Sequence, residues 1–490
     1  MISCSISELC AATGASLVSG SGEGRVSGVA IDSRKVGEGS LFVAFPGERV
    51  DGNDFAPAAV AAGAAAVAMT REPGEDVLAA AREAGCAVLR VEQGSASLPV
   101  EDDATELMLR LAAWWRARQD WCVVGVTGSV GKTTTKDMLA AALGRAWRTH
   151  ATAGNFNNLI GVPLTLLGAP DDAEVLVVEM GMNHPGEIAR LAEVARPRVA
   201  VITNVGTSHI GILGSRENIA RAKAEIVAGL ASAPNPELAS PMLFLQAGDD
   251  FSAFIAEGFA EPAGVPVTYV GAREGAAVRC GNVRLDDEVR PTFDVALADG
   301  TAFTQTLRLS GAQVVPDYEL ALAVALHLGV DAARAAEALA CLEPTHMRQE
   351  VVHASRGFRV IDDSYNASPD STAAALDALC AMGLAEGGRR IAILGEIGEL
   401  GDEEARLHEL VGAYAAAKPL DMLVVVGTDR ADHLERAARL MGYSEDRIVR
   451  VGDVHALIEV VAPILEPADL VLVKASRAAQ LDLFVKAVRA

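Results

Sequence analysis

Along most of this chain, short runs of consecutive apolar residues alternate with longer segments in which apolar residues return every three or four positions. The first pattern predicts buried strands and the second amphipathic helices. Their alternation is the signature of α/β layers around largely parallel sheets. Two stretches interrupt it. Glu92–Asp103, EQGSASLPVEDD, is polar, marked by glycine and proline, and precedes a helical run ending near Arg118. Cys341–Glu350, CLEPTHMRQE, follows an alanine-rich helical pattern and precedes a new strand, FRVIDD. These breaks predict three domains, 1–98, 99–343 and 344–490, which suits a chain of 490 residues.

The last domain alternates most regularly. RRIAILG, DMLVVVG, RIVRVG and DLVLVKAS each precede a helical pattern, which predicts a Rossmann-like sheet. Within it, GEIGELG (Gly395–Gly401) spaces its glycines three apart, which is not the GxGxxG that a dinucleotide turn requires. SAPNPELASP, Ser232–Pro241, predicts a surface loop, and no internal repeat is visible.

Composition narrows the functional classes. Half the residues are hydrophobic but only 4% are aromatic, so the cores must be aliphatic. A net charge of −23 opposes nucleic acid and anionic membranes, so any anionic substrate must meet local lysines, arginines and helix N-termini. The seven cysteines form no CxxC pair, which argues against a zinc site or a disulfide framework. The first residues lack a signal peptide's basic and apolar regions. The longest weakly apolar run, Phe55–Met69, is broken by Pro57 and Gly63 and falls short of the ~20 residues a bilayer needs. A soluble, cytoplasmic protein is expected.

The chemistry starts at VVGVTGSVGKTTTKDML, Val123–Leu139. A β-branched strand runs into glycines, then into a lysine, three threonines and a helix. Gly128 and Gly131 let successive N–H groups face one anion, and the helix adds its positive end. Lys132 would reach the terminal phosphates, and Thr133 would offer a hydroxyl to Mg2+. The motif departs from GxxxxGK[ST] in one place: its first glycine is replaced by Val126. The segment Thr127, Gly128, Ser129, Val130, Gly131, Lys132, Thr133 and Thr134 is the expected ATP-binding loop.

Such a loop needs a carboxylate at a neighbouring strand end, and AEVLVVEMG supplies Glu179. A third strand, RVAVITNVG, delivers TSH beyond its end, which brings His209 into the same crevice. Lys223, in SRENIARAKAEIV, reads from its helix alone as a solvated charge.

In order and spacing, these residues resemble the Mur ligases of peptidoglycan synthesis. The likeness spans nearly the whole chain: IDSRKVGEGSLFVAFPGERVDGNDF, TGSVGKTTTK, TAGNFNNLIGVPLTLL, EMGMNHPGEI, ITNVGTSHIGILGSRENIARAKAEI, VIDDSYNASPDS, ILGEIGELG and VKASR. It implies a UDP-sugar domain, a central P-loop ATPase-type domain with a parallel sheet, and a C-terminal Rossmann-like domain that brings an amine. The implied activity is ATP-dependent amide formation through an acyl phosphate. VIDDSYNASPDS resembles the branch that joins D-alanyl-D-alanine to UDP-N-acetylmuramoyl-tripeptide.

The resemblance also assigns roles. One Mg2+ would be held by Thr133 and Glu179, and a second by His209 and a carbamylated Lys223. A carbamate reverses the lysine's charge and supplies the hard oxygen ligands that Mg2+ prefers. Arg348 would approach the phosphates, and Asp363 would hold the ribose. Ser33 and Arg34 would help hold the UDP end. Asn155, Asn157 and Asn158 would face the substrate. A monomer without stable membrane association is expected.

One region departs from the family pattern. Where a glycine, His-Asn and a second Asn are common, this chain reads SGAQVVPDYELALAV, so Gln313, Val314 and Asp317 take those places. That puts the adenine contacts in doubt.

Two other readings compete. A ligase adding a single amino acid shares the plan, although the DNPR motif common in diaminopimelate-adding ligases is absent. A P-loop switch acting through a partner would need a base reader such as NKxD, and none occurs.

Overall fold

The computed structural model describes residues 1–47, 50–231 and 238–489. Of the loop expected at Ser232–Pro241, residues 232–237 lie outside the described residues, and 238–241 have no regular structure. Among the described residues, sheets occupy three successive stretches of chain.

The first is a five-stranded sheet ordered Ser16–Ser19, Ala87–Arg90, Ala66–Met69, Ser40–Val43, Gly28–Ala30. Its first strand is antiparallel to its neighbour and the other pairs are parallel. Ala66–Met69 is buried along its whole length, as a strand covered on both faces must be.

The helix Asp103–Arg116 comes next, capped by Asp102, whose carboxylate accepts from Thr105 N–H. Arg116 ends it fully buried. Its guanidinium donates to the carbonyls of Ala195, Gln119 and Trp121 at 2.8, 2.8 and 3.0 Å, which staples the helix onto the second layer. Burial without a carboxylate partner pushes this guanidinium down to about 10.

The second sheet is six-stranded and wholly parallel. At its centre lies β1 (Cys122–Thr127), which feeds the helix α1 (Lys132–Leu143). On either side of β1 run β2 (Val175–Glu179) and β3 (Val199–Ile202). Every residue of these three strands is buried, consistent with their unbroken Val/Ile/Leu-rich runs. The register pairs Val126 with Glu179 and Thr127 with Ile202, so the three carboxyl ends finish level.

Helix α2 (Arg216–Ala224) follows β3 on the chain. Helix α3 (Val314–His327), buried around most of its circumference, packs along α1. A small antiparallel sheet (Val278–Leu285, Pro291–Leu297, Ala302–Thr306) flanks this layer.

The third sheet is Rossmann-like. It contains β4 (Arg359–Asp363), β5 (Arg390–Gly395) and β6 (Leu470–Lys474), with β6 between the other two. One strand lies outside the expected pattern. Glu350–His353 pairs antiparallel with β4, so the polar stretch ending at Glu350 runs straight into an edge strand. Its mixed burial hides the apolar run that would have announced it.

Apolar contacts run unbroken from Leu9 through Leu107, Leu166 and Ile188 to Leu376 and Leu472. The three sheets therefore share packing instead of hanging as beads on linkers.

Candidate active site

A cavity of about 870 Å3 opens where the level ends of β1, β2 and β3 face the carboxyl ends of β4 and β6. Strand ends are the usual ligand side of α/β sheets, because the following loops and helix N-termini converge there.

The glycine loop forms one wall. Gly128 has φ +151°, and a Cβ there would lie 1.8 Å from Thr203 Oγ1, so glycine is required. Ser129 N–H donates to Asn204 O, and Val130 N–H donates to Asn204 Oδ1 at 3.0 Å. Asn204 Nδ2 and Thr203 Oγ1 donate back to Val130 O. The segment after β3 thus fixes the first half of the loop and leaves the head of α1 to meet an anion. Lys132 Nζ folds back onto the carbonyls of Gly128 and Ser129, at 2.8 and 3.4 Å. Burial pushes its ammonium down, opposed mainly by Glu179.

Glu179 ends β2 with 1% of its surface exposed. Its Oε1 accepts from Thr133 Oγ1 at 3.2 Å and from Asn157 Nδ2 at 2.7 Å. Its Oε2 is buried with no hydrogen-bond partner. A buried carboxylate oxygen left unsatisfied beside a hydroxyl is the donor set a hard cation requires.

His209 reaches the cavity in a left-handed backbone conformation, φ +64°. Its Nδ1 lies 2.6 Å from Glu399 Oε2, close enough for an ion pair although not aligned as a hydrogen bond. This contact holds the Glu399 carboxyl below its ordinary value. Lys223 is buried and is not among the residues lining the cavity. Burial, reinforced by the Lys132 charge, drives its ammonium well below the ordinary lysine value, with Asp249 opposing. It is not the solvated charge its helix alone suggests.

The C-terminal wall carries Arg348, stacked 4.3 Å over the Tyr365 ring, and Asp363, paired with Lys474 Nζ at 2.6 Å. Asn155, Asn157 and Asn158 line the cavity. Among the expected loop residues, Ser129, Val130, Gly131, Lys132, Thr133 and Thr134 line it, whereas Thr127 and Gly128 lie behind them. Ser33 and Arg34 lie outside it. They form an exposed turn in which Arg34 pairs with Asp32 at 2.8 Å.

Gln313, Val314 and Asp317 all line the cavity. Gln313 Nε2 donates to Ser310 O and to Gln349 Oε1, which ties α3 to the linker.

Several residues were missed by the sequence reading. Asp370 caps Thr207 across the two layers, accepting from its N–H at 3.0 Å and its hydroxyl at 2.9 Å. Asn204, Tyr365, Lys474 and Glu399 also line the cavity. All five sit inside motifs already visible, but their roles depend on which strand ends face each other.

Models of three families match in order along the chain: "Mur ligase family, catalytic domain" over residues 25–98, "Mur ligase middle domain" over 126–325, and "Mur ligase, glutamate ligase domain" over 347–477. UDP-N-acetylmuramoyl-tripeptide–D-alanyl-D-alanine ligases resemble the chain throughout. That of Mycobacterium tuberculosis is 38% identical over 93% of this chain and 91% of its own length. That of Bacillus subtilis is 35% identical, covering 94% and 93%. The crystal structure of MurF from Acinetobacter baumannii superposes with a TM-score of 0.82 at 28% identity, covering 100% of this chain and 99% of its own. MurF from Thermotoga maritima in complex with ADP gives 0.73 at 27% identity, covering 94% and 97%. With its three matched segments in order and its strand ends gathered around one glycine loop, the chain belongs to the Mur ligase family.

Proposed function

We propose that this protein joins D-alanyl-D-alanine to UDP-N-acetylmuramoyl-tripeptide, consuming ATP. One observation carries the reading beyond its likeness to the tripeptide ligases. The glycine loop, the half-satisfied Glu179 and the C-terminal Arg348 wall share a single cavity.

Acylation needs two anions, a carboxylate and a triphosphate, brought together in a low-dielectric cleft, and cationic groups must offset their repulsion. Lys132 and the head of α1 would hold the β- and γ-phosphates, and Arg348 would close on them from the other wall. The substrate carboxylate attacks the γ-phosphorus and ADP leaves. The amine of D-alanyl-D-alanine then attacks the acyl carbon, and phosphate and a proton depart. The amine arrives from the C-terminal layer.

The residues fit Mg2+. Glu179 and Thr133 would hold one ion, and His209 with a carbamylated Lys223 a second. The ions would supply charge neutralisation at the transferring phosphoryl group. Burial shifts Lys223 toward its neutral amine, the form that adds CO2 to become a carbamate. His209 would ligate through Nε2 while Nδ1 keeps its contact with Glu399, the arrangement in which a carboxylate orients a metal-bound imidazole. Asp363 would contact the ribose, and Ser33 and Arg34 the UDP end, with Asn155, Asn157 and Asn158 along the substrate between them. The domains are best drawn at 1–98, 99–343 and 344–490.

The test is acceptor-dependent turnover. ADP and the pentapeptide product, followed by coupled assay and mass spectrometry, should form only when both UDP-tripeptide and D-alanyl-D-alanine are present. ATP hydrolysis without either acceptor would favour a switch or motor instead.

A further inference from the structure

The substitution at position 317 has a physical consequence of its own. Asp317 lies in the first turn of α3, 7% exposed, and its Oδ1 accepts from Thr135 Oγ1 on α1 at 3.0 Å. On the other side it packs against the glycine loop: a Cβ at Gly131 would lie 2.4 Å from the same Oδ1. The carboxyl therefore sits beneath the turn whose N–H groups and positive helix end would face the phosphates. An ionised carboxylate there would compete with a triphosphate for the same positive potential. A protonated one would not.

We propose that Asp317 is a positioning residue for nucleotide binding that works only as a neutral acid, bracing the phosphate loop through Thr135 and Gly131. This inference rests on reading that loop as the ATP site. Burial supports it by pushing the Asp317 carboxyl up to about 8, with Thr135 opposing.

Other charged groups share the cavity with Asp317. Lys132 and Asp137 on α1, Asp249 beyond the strand Met242–Gln246, and Arg348 in the linker line the same cavity. Glu319, two residues along α3, is turned to Cys280 N–H at 2.6 Å, and burial pushes it up to about 7. Either Lys132 or Glu319 could imitate a pH dependence of Asp317, so the test must separate them.

The experiment is calorimetric titration of the intact protein with ATP and magnesium from about pH 7.5 to about pH 9.5. If only the neutral acid is competent, affinity should fall about twentyfold across that range, in proportion to the competent fraction. Asp317→Asn should bind about threefold more weakly at the lower pH yet lose the slope. Asp317→Ala should bind weakly throughout, so that the asparagine variant rescues it. Glu319→Gln should keep the wild-type slope.

A flat wild-type profile overturns the proposal, and so does a slope that survives in Asp317→Asn, which would point to Lys132. A slope lost in Glu319→Gln overturns it too, and decides the matter should Asp317→Asn fail to fold by circular dichroism. Failure of the wild-type protein to bind ATP at the lower pH would sink the nucleotide reading itself.

Discussion

The two ends of the proposed substrate meet very different protein. Around the phosphate loop, Glu179 accepts from Thr133 and Asn157, Lys132 is held on the Gly128 carbonyl, and Glu179 is almost wholly buried. At the Ser33–Lys35 turn, the Arg34 side chain is 87% exposed and holds only its neighbour Asp32. The difference teaches where each job belongs. Phosphoryl transfer needs dipoles already aimed before the reaction, so its groups are built into the sheet. Gripping one end of a long substrate would need only local complementarity, which an adaptable surface arginine could supply.

Substitutions at the buried centre should therefore be far more damaging than those at the exposed turn. Glu179→Gln is expected to lower kcat by roughly a thousandfold while melting near the wild-type temperature, since the amide keeps the contacts to Thr133 and Asn157. Steady-state rates alongside thermal melts check it. A variant retaining more than a tenth of the activity would remove Glu179 from the chemistry.

Lys223→Ala should come next, with turnover down about a hundredfold and partial recovery on adding short-chain carboxylates that replace the carbamate oxygens. Stability should move the other way. The folded pKa of Lys223 is depressed, so folding opposes its protonation, and that penalty shrinks as pH rises toward the unfolded lysine value. Lys223→Met removes the penalty and should raise Tm by a few degrees near neutral pH, by a margin that narrows toward alkaline pH. An unchanged Tm would mean that the amine is already satisfied in the fold.

Much of this contrast was legible in the sequence, and what escaped has a physical reason. The glycine loop, Glu179 and the order of the layers follow from local patterns, because a β-branched run ending in glycines and a helix start has few alternative folds. Lys223 on its helix and Glu399 in GEIGELG were not legible in the same way. Their meaning lies in burial and in a contact with His209 from a separate sheet, neither of which is a local property. Asp317 is intermediate: its departure from the family pattern was visible, but its place under Gly131 was not.

Between the two extremes lies the seam joining the second and third layers. Gly211 N–H donates to Glu399 O at 3.1 Å, and a Cβ on Gly211 would come within 2.2 Å of Gly401 N. Backbone meets backbone there, so Gly211→Val must push the layers apart. The expected result is a roughly tenfold fall in kcat with ATP affinity retained, because the loop side is untouched. Small-angle scattering with both substrates should show a larger radius of gyration than the wild-type complex. An unchanged radius would mean that the seam gives locally instead.

The mildest effect is expected at the exposed turn. Arg34 donates to both oxygens of Asp32, which holds that carboxyl down to about 2, but the pair lies open to water. Exposed ion pairs contribute little to stability, so Arg34→Ala should leave the melting temperature unchanged. If the turn grips the UDP end, the same substitution should raise KM for UDP-tripeptide about fivefold and leave kcat alone, the signature of an interaction equally strong in ground and transition states. Asp32→Asn sharpens the point. Releasing Arg34 from its neighbour should lower KM if the arginine is shared between partners, and raise it if Asp32 is what aims the guanidinium at the substrate. Equal KM values in all three proteins would place the UDP end elsewhere on the N-terminal sheet, while the buried centre would stand as described.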